Sequence, residues 1–286
     1  MKLSFRDRSF RAATWCRALL VVLPAVFVRA EGQEKAAWHG RKCAVALTYD
    51  DGLNVHLDSV IPALDSLGFK GTFYLSGFFP GFSRRVKDWI SVAKEGHELG
   101  NHTLFHPCEG RSPGREWVKP DYDLNVYTMR RMVDEIQMAN TLLEAVDGKT
   151  VRTFAYPCGD RLTGDSSYVD RVRELFPGAR GVEGKMEGLK EVDLYNVGAY
   201  MVSGQSGERL IGLVKEAMAK NVLLVFLFHG VGGEHSLNVS SCDHRKLLGF
   251  LKANEEEIWV APLVDIVRFV REERNGHGLQ EPPGGK

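Results

Sequence analysis

The sequence predicts an α/β protein: a parallel sheet covered by helices. Two observations carry that reading. Segments with strand character alternate with amphipathic helical stripes along the chain, and the strongest of those strands, "CAVALTY" at 43–49 and "VLLVFLFHG" at 222–230, are continuous apolar runs. A strand buried on both faces reads that way, whereas a strand with one wet face alternates. A closed barrel and an open doubly wound sheet both satisfy the pattern, and in either the chemistry belongs at the carboxyl ends of the strands.

After the first strand, 55–68 carries a helical stripe through Val60, Ala63, Leu64 and Leu67 that stops at Gly68. "GTFYLSG" at 71–77 is a second strand, "RRVKDWISVAKEG" at 84–96 a helix closed by glycine, and "HELGNH" at 97–102 a brief third strand. Residues 107–124 are rich in proline, glycine and charge and read as an excursion over one rim. The longest helical pattern, 125–146, puts Met129, Met132, Val133, Ile136, Leu143 and Val146 on one side. Downstream come strands at 151–157, 179–183, 194–202 and 222–230, helices at 166–178, 206–221 and 243–257, and a short strand leading into a terminal helix over 257–270.

Thirty-seven basic residues balance thirty-seven acidic ones, which removes the electrostatic argument for nucleic acid or an anionic membrane as partner. The N-terminus differs from the rest. Lys2, Arg6, Arg8, Arg11 and Arg17 precede the apolar run 18–28, and Val28 and Ala30 stand before a cut at Glu31. That order reads as a secretion signal over 1–30, since the apolar run is too short to span a bilayer. The expected organisation is then an extension at 31–42, one catalytic domain at 43–272 and a tail at 273–286, with a secreted, periplasmic or cell-envelope location and no membrane span in the mature chain. Removal of the leader leaves Cys43, Cys108, Cys158 and Cys242, with no CxxC pair; two disulfides then have three possible pairings, which the sequence leaves open.

The strand-end rule gathers the polar residues. Asp50 and Asp51 close the first strand, His102 follows the third, "YPCGD" ends a later one, and His229 ends the most apolar strand of all. His102 and His106 lie four apart, so both imidazoles can face one point. With a carboxylate they form a sensible shell for a divalent ion. Adjacent aspartates repel, and a cation on Asp51 would relieve that, leaving Asp50 as a base. His229, behind bulky apolar neighbours, is placed to protonate a leaving group. Together these groups describe metal-assisted hydrolysis.

The motifs "TYDDG", "HTLFH", "FAYPCG" and "FLFHG", in this order, resemble those of the polysaccharide deacetylase family with the NodB homology domain, carbohydrate esterase family 4. The resemblance spans about 43–270. It implies a distorted (β/α) barrel of one domain that removes acetyl groups from N-acetylated glycans such as chitin, peptidoglycan or poly-N-acetylglucosamine. It implies Asp50 as catalytic base, His229 as acid, Asp51, His102 and His106 as metal ligands, and the backbone N–H of Cys158 as an oxyanion donor. The implied cofactor is a divalent ion, zinc first, with cobalt, nickel or manganese also tolerated by such a shell. A hydrolase of a non-sugar amide or acetyl ester on the same fold, and a silent glycan-binding envelope protein, are the alternatives.

The third motif departs from the family. Its arginine, which orients and charge-balances the base, is here Ala155, and no aspartate–tryptophan pair stands out for the fourth motif, Asp193 having no tryptophan beside it. "NHT" at 101 and "NVS" at 238 match the glycosylation pattern, the first inside the expected metal site. Trp117, Phe78, Phe79 and Phe82 are candidates for lining a sugar groove.

Overall fold

A computed structural model describes residues 37–276 of the chain. The expected signal at 1–30 and the end of the tail lie outside the described residues. Eight parallel strands form the main sheet: β1 (Cys43–Asp50), β2 (Thr72–Leu75), β3 (Glu98–Asn101), β4 (Phe154–Ala155), β5 (Ala179–Arg180), β6 (Tyr200–Met201), β7 (Leu223–Phe228) and β8 (Ile258–Val260). Their order is β5-β4-β3-β2-β1-β7-β6. Strand β8 lies off that path. It pairs with the first half of β1, Cys43 opposite Ile258, while β2 pairs with the second half, Asp50 opposite Tyr74.

The sheet curls toward closure through one segment. Residues 194–202 lie against β5, with the Ala179 N–H donating to Leu194 O (2.7 Å) and the Gly181 N–H to Val197 O (2.9 Å). The same segment then enters β6, which pairs with β7 at Tyr200–Phe226 and Met201–Leu227. The two ends of the sheet are thereby linked, as the expected distorted (β/α) barrel requires.

Helices α1 (Ile61–Ser66), α2 (Val86–Lys94), α3 (Met129–Asp147), α4 (Val169–Leu175), α5 (Gly207–Lys220), α6 (Ser241–Ala253) and α7 (Leu263–Gly276) occupy the expected places. Several bounds shrink for local reasons. Helix α3 starts at Met129 rather than 125, because the Thr128 hydroxyl accepts the Arg131 N–H and caps it there, and Gly148 at φ +70° ends it. The helix expected over 166–178 keeps only 169–175, since Ser166–Ser167 pair in a hairpin with Leu162–Thr163. The strand expected over 151–157 is reduced to Phe154–Ala155. Both the N–H and the hydroxyl of Thr153 go to the buried Glu98 carboxylate (2.6 and 2.7 Å) instead of to a neighbouring strand.

Period-2 alternation sorts β1 between two cores. Val45, Leu47 and Tyr49 pack with α1, α5 and α6, while Ala44 and Ala46 face the opposite cluster with Tyr74, Leu227 and Ile266. Asp50 continues the even-numbered face. Tyr49, on the other face, points to α6, where its hydroxyl and His244 Nε2 share a hydrogen bond (2.8 Å). Among the described residues, no helix is long and apolar enough to cross a membrane.

Burial drops the His244 imidazole to about 4. A histidine whose folded value lies below its unfolded one favours the fold above pH ~6.5 and loses that contribution as the pH falls through about 4. We expect the Tyr49→Phe/His244→Leu protein to lose roughly 2–3 kcal/mol less than wild type between pH 7.5 and 4.5 in urea melts. Parallel loss in both proteins would refute this assignment.

Candidate active site at the carboxyl rim

The strand ends bring the expected residues together. Asp50 is the last residue of β1, and Asp51 and Gly52 follow at φ +76° and +62°, a turn that sends two successive carboxylates into one rim. Glycine at 52 suits that left-handed turn, which other side chains rarely adopt. His102 follows β3 directly and His229 follows β7. One ligand atom from each of Asp51, His102 and His106 lies within 4.8 Å of the others.

The two carboxylates have opposite surroundings. Asp50 Oδ2 accepts a hydrogen bond from the Arg180 guanidinium, and both residues are buried. Burial pushes the Asp50 carboxyl up, but Arg180, His102 and His229 together outweigh it and hold the group below its ordinary value. Its other oxygen, Oδ1, is buried with no hydrogen-bond partner. Asp51 has no such counter-charge in contact. Burial, and then the charge of Asp50, raise it to about 7. Its Oδ1 is likewise buried and unpartnered, 3.5 Å from His106 Nε2 and 3.8 Å from His102 Nε2.

The ring tautomers suit a cation. His102 Nδ1–H donates to the Ala155 carbonyl (2.8 Å), which leaves the Nε2 lone pair turned into the site. His106 Nδ1 sits 3.6 Å from Cys108 Sγ, so Nε2 again faces Asp51. Burial lowers His102 to about 3 and His106 to about 4, keeping both neutral as ligands must be. One carboxylate oxygen without a partner and two imidazole nitrogens fit a divalent ion with tetrahedral N/O preference. The residues present therefore fit the group that the resemblance implies.

The histidine pair sits on a loop, not a helical turn. Thr103 and His106 have φ of +64° and +54°. Asn101 fixes the loop: its amide donates to Ile136 O (3.0 Å) and Asn140 Oδ1 (2.8 Å) on α3, while its carbonyl accepts the Thr103 N–H (2.8 Å). Thr103 Oγ1 then accepts the His106 N–H (2.9 Å), and Glu135 of α3 accepts the Phe105 N–H (2.9 Å). The "NHT" triplet is thus internal scaffolding. Asn101 is fully buried.

Across the rim, Cys158 stands at φ +56° and Gly159 at +77°, where a Cβ on Gly159 would strike Val182 at 2.4 Å. Cys158 is disulfide-bonded to Cys108, which joins the turn after β4 to the loop carrying His106. Cys43 and Cys242 are free thiols. His229 is held through its backbone, whose carbonyl lies 2.8 Å from His56 Nε2, and its Nδ1 has no partner. Burial lowers it to about 4, with the charge of Asp50 opposing. The ring of His235 stacks on it (4.6 Å, 13°).

Three members escaped the sequence reading. The sequence places Arg180 only in a short strand and His56 only in a helix, and gives His235 no element. The clue for Arg180 was an arginine between Ala179 and Gly181 in a strand too short and too small-sided to sit at a surface. Asp193, by contrast, stays out of the site and accepts the Tyr195 N–H (2.9 Å). Phe82 is buried in the core and lines no groove.

A model of the family described as "Polysaccharide deacetylase" matches residues 39–175. Over these residues, a little under half of the chain, the sequence is similar to the polysaccharide deacetylase family. The deacetylase match includes both aspartates, both loop histidines and Cys158, and stops short of Arg180 and His229. A gellan lyase of Bacillus sp is 25% identical over 273 residues, 85% of this chain and 10% of that protein. The peptidoglycan-N-acetylmuramic acid deacetylase PdaA of Bacillus subtilis is 27% identical over 118 residues, 40% of this chain and 37% of that one. The chain spans well under two thirds of the length of either relative. A crystal structure from Mycobacterium smegmatis, named as a candidate polysaccharide deacetylase, superposes with a TM-score of 0.61 at 15% identity, covering 86% of this chain and 94% of its own. At that identity the likeness speaks for the fold alone.

The unfavourable setting of Asp51 has a measurable consequence. With its folded value above its unfolded one, ionised Asp51 opposes folding at neutral pH in the metal-free protein. Metal-free Asp51→Asn should therefore be more stable than metal-free wild type at pH 7.5 by a few kcal/mol in urea melts, and the order should narrow or reverse when zinc is added. A destabilised metal-free variant would contradict the assignment.

Proposed function

We propose that the domain at 43–272 is a metal-dependent hydrolase that removes N-acetyl groups from a carbohydrate of the chitin, peptidoglycan or poly-N-acetylglucosamine kind. The observation that carries the reading is the division between the two aspartates. Asp50 is held ionised by Arg180 with one bare oxygen, while Asp51 turns an unpartnered oxygen toward two neutral imidazoles. A single general base beside a cation site needs that asymmetry.

Asp51, His102 and His106 would hold the divalent ion, zinc or else cobalt, nickel or manganese, which when bound supplies Lewis-acid polarisation of the acetamide carbonyl and a more acidic water. Asp50 Oδ1 takes the proton of the attacking water. The N–H of Cys158 holds the negative charge that develops on the carbonyl oxygen. His229, neutral in the resting site, would take up a proton as negative charge develops beside it and pass it to the departing nitrogen.

A carbohydrate suits the surroundings. Phe78 and Phe105 are exposed and, with Tyr122, form a mutually packed aromatic surface (6.1, 6.0 and 5.7 Å between ring centres). Phe79 joins it to His106 (5.6 Å). On the Cys158 side, a cavity of about 620 Å³ is lined by polar groups that include Glu109, Asn125, Asp160 and Arg161. Apolar sugar faces and hydroxyls can use both surfaces. A PdaA-like peptidoglycan substrate and an extracytoplasmic location, secreted, periplasmic or in the envelope, fit this reading, and neither nucleic acid nor a membrane is needed as partner.

The test is acetate release from chitooligosaccharides, peptidoglycan fragments and acetylated xylan by the purified protein, stripped of metal and resupplied with zinc or cobalt. Activity should vanish on stripping and return with metal, and Asp50→Asn should lower it about 10²–10⁴-fold, the usual range for a lost general base. Metal-independent release, or an active Asp50→Asn protein, would refute the mechanism.

A further inference from the structure

His235 touches two members of the site. Its ring stacks on His229 (4.6 Å between centres, 13° between planes), and its Nε2 lies 3.9 Å from Asp51 Oδ2. One ligand atom from each of Asp51, His229 and His235 also lies within 4.8 Å of the others, a spacing at which the three could share an ion of their own. The hydrogen bonding of the ring argues against that use. The Leu237 N–H donates to His235 Nδ1 (3.0 Å), so Nδ1 offers the lone pair and Nε2 carries the proton. A protonated nitrogen does not ligate, but it can donate. We propose that His235 is a positioning residue for Asp51, its Nε2–H turned to Oδ2 so that Oδ1 is the oxygen left for the cation. This rests on the reading of Asp51 as a metal ligand.

The two oxygens of Asp51 have separate surroundings. Oδ1 is buried without a partner and faces Nε2 of His102 and His106, while Oδ2 faces His235. At 3.9 Å that second contact is a charge–dipole one, longer than a hydrogen bond. It still favours negative charge on Oδ2 and opposes a turn of the carboxylate away from the histidine pair, as donors beside a ligating carboxylate do. The loop holds His235 in place. Gly230–Val231 pair with Asn238–Val239, and the Asn238 side chain accepts the Gly233 N–H (2.9 Å), so the "NVS" triplet serves as scaffolding. The Glu234 carboxylate accepts the Val55 N–H and an Asn54 side-chain N–H, both at 2.6 Å. Asn54 and Val55 follow the turn at Asp51 and Gly52, so the loop is clamped to the segment whose aspartate it faces.

The experiment is a calorimetric titration of zinc into metal-free wild type, His235→Phe, His235→Gln and Asp51→Asn, with the disulfide intact. Phenylalanine keeps a flat ring against His229 and lacks the donor, whereas glutamine keeps an N–H at similar reach and lacks the ring. The side chain at 235 is partly exposed, so its replacement removes little packing. His235→Phe should raise the Kd for zinc about 10–100-fold at an unchanged metal-free melting temperature, and His235→Gln should stay within about threefold of wild type. Wild-type affinity in His235→Phe beside a weakened Asp51→Asn would overturn the proposal and leave the metal site standing. A His235→Gln protein as weak as His235→Phe, or a second zinc that wild type binds and His235→Phe does not, would make His235 a ligand and overturn it equally. If His235→Phe does not fold, His235→Ala is held to the same limits. Zinc bound as well by Asp51→Asn as by wild type, or by neither, removes the metal site of the proposed function and the role of His235 with it.

Discussion

Two carboxylates on consecutive residues, both out of water, are the constraint around which this rim is arranged. Neither can stay ionised without a positive neighbour, and one neighbour cannot serve both. Arg180 satisfies Asp50 through a buried ion pair. Asp51 is left facing two imidazoles that burial keeps uncharged, and its burial and the charge of Asp50 outweigh the favourable charges of His235 and Arg180. Removing Arg180 would leave two uncompensated charges where there is now one, and buried charges of that kind are costly. The division of labour between adjacent aspartates thus depends on a side chain 130 residues away in sequence.

The backbone around the rim is as constrained as the side chains. Asp51, Thr103, His106 and Cys158 all have positive φ, a conformation that costs a residue other than glycine of order 1–3 kcal/mol when the surroundings must enforce it. The enforcing contacts are visible: Asn101 and Glu135 for the histidine loop, and the disulfide for the turn after β4. Strand pairing sets the ends of β1, β3, β4 and β7 at one level, and these local devices then aim individual groups inward.

Much of this was legible in the sequence because the chemistry sits where strands end. Continuous apolar runs located β1 and β7, and the polar residues just past them, Asp50, Asp51 and His229, followed. The spacing of His102 and His106 was equally readable. What the sequence could not carry was lateral placement. Arg180 is placed by the register of β5 on β4, and register is a property of two strands that no single stretch encodes. Short strands failed for a related reason. Phe154–Ala155 and Tyr200–Met201 are two residues each, because neighbouring amides bond to side chains or to the closing segment, and a local pattern has no view of those partners. Cysteine pairing was open for the same cause, resolved only when the 107–124 excursion returned Cys108 to the turn at Cys158.

That disulfide ties the geometry of the rim to the chemistry of its surroundings. Cys108 lies two residues beyond His106, and Cys158 is at the turn facing it, so one covalent bond staples the histidine loop to the opposite wall. In an oxidising medium the staple persists, and the mouth of the site has a fixed width. Among abundant thiols the loop would be retained by the buried hydrogen bonds of Thr103, Asn101 and Glu135 and by the bonds from Glu109 and Arg115 to Asp160, with no covalent link across the mouth. The same polypeptide would then present a tight mouth on one side of a membrane and a looser one on the other.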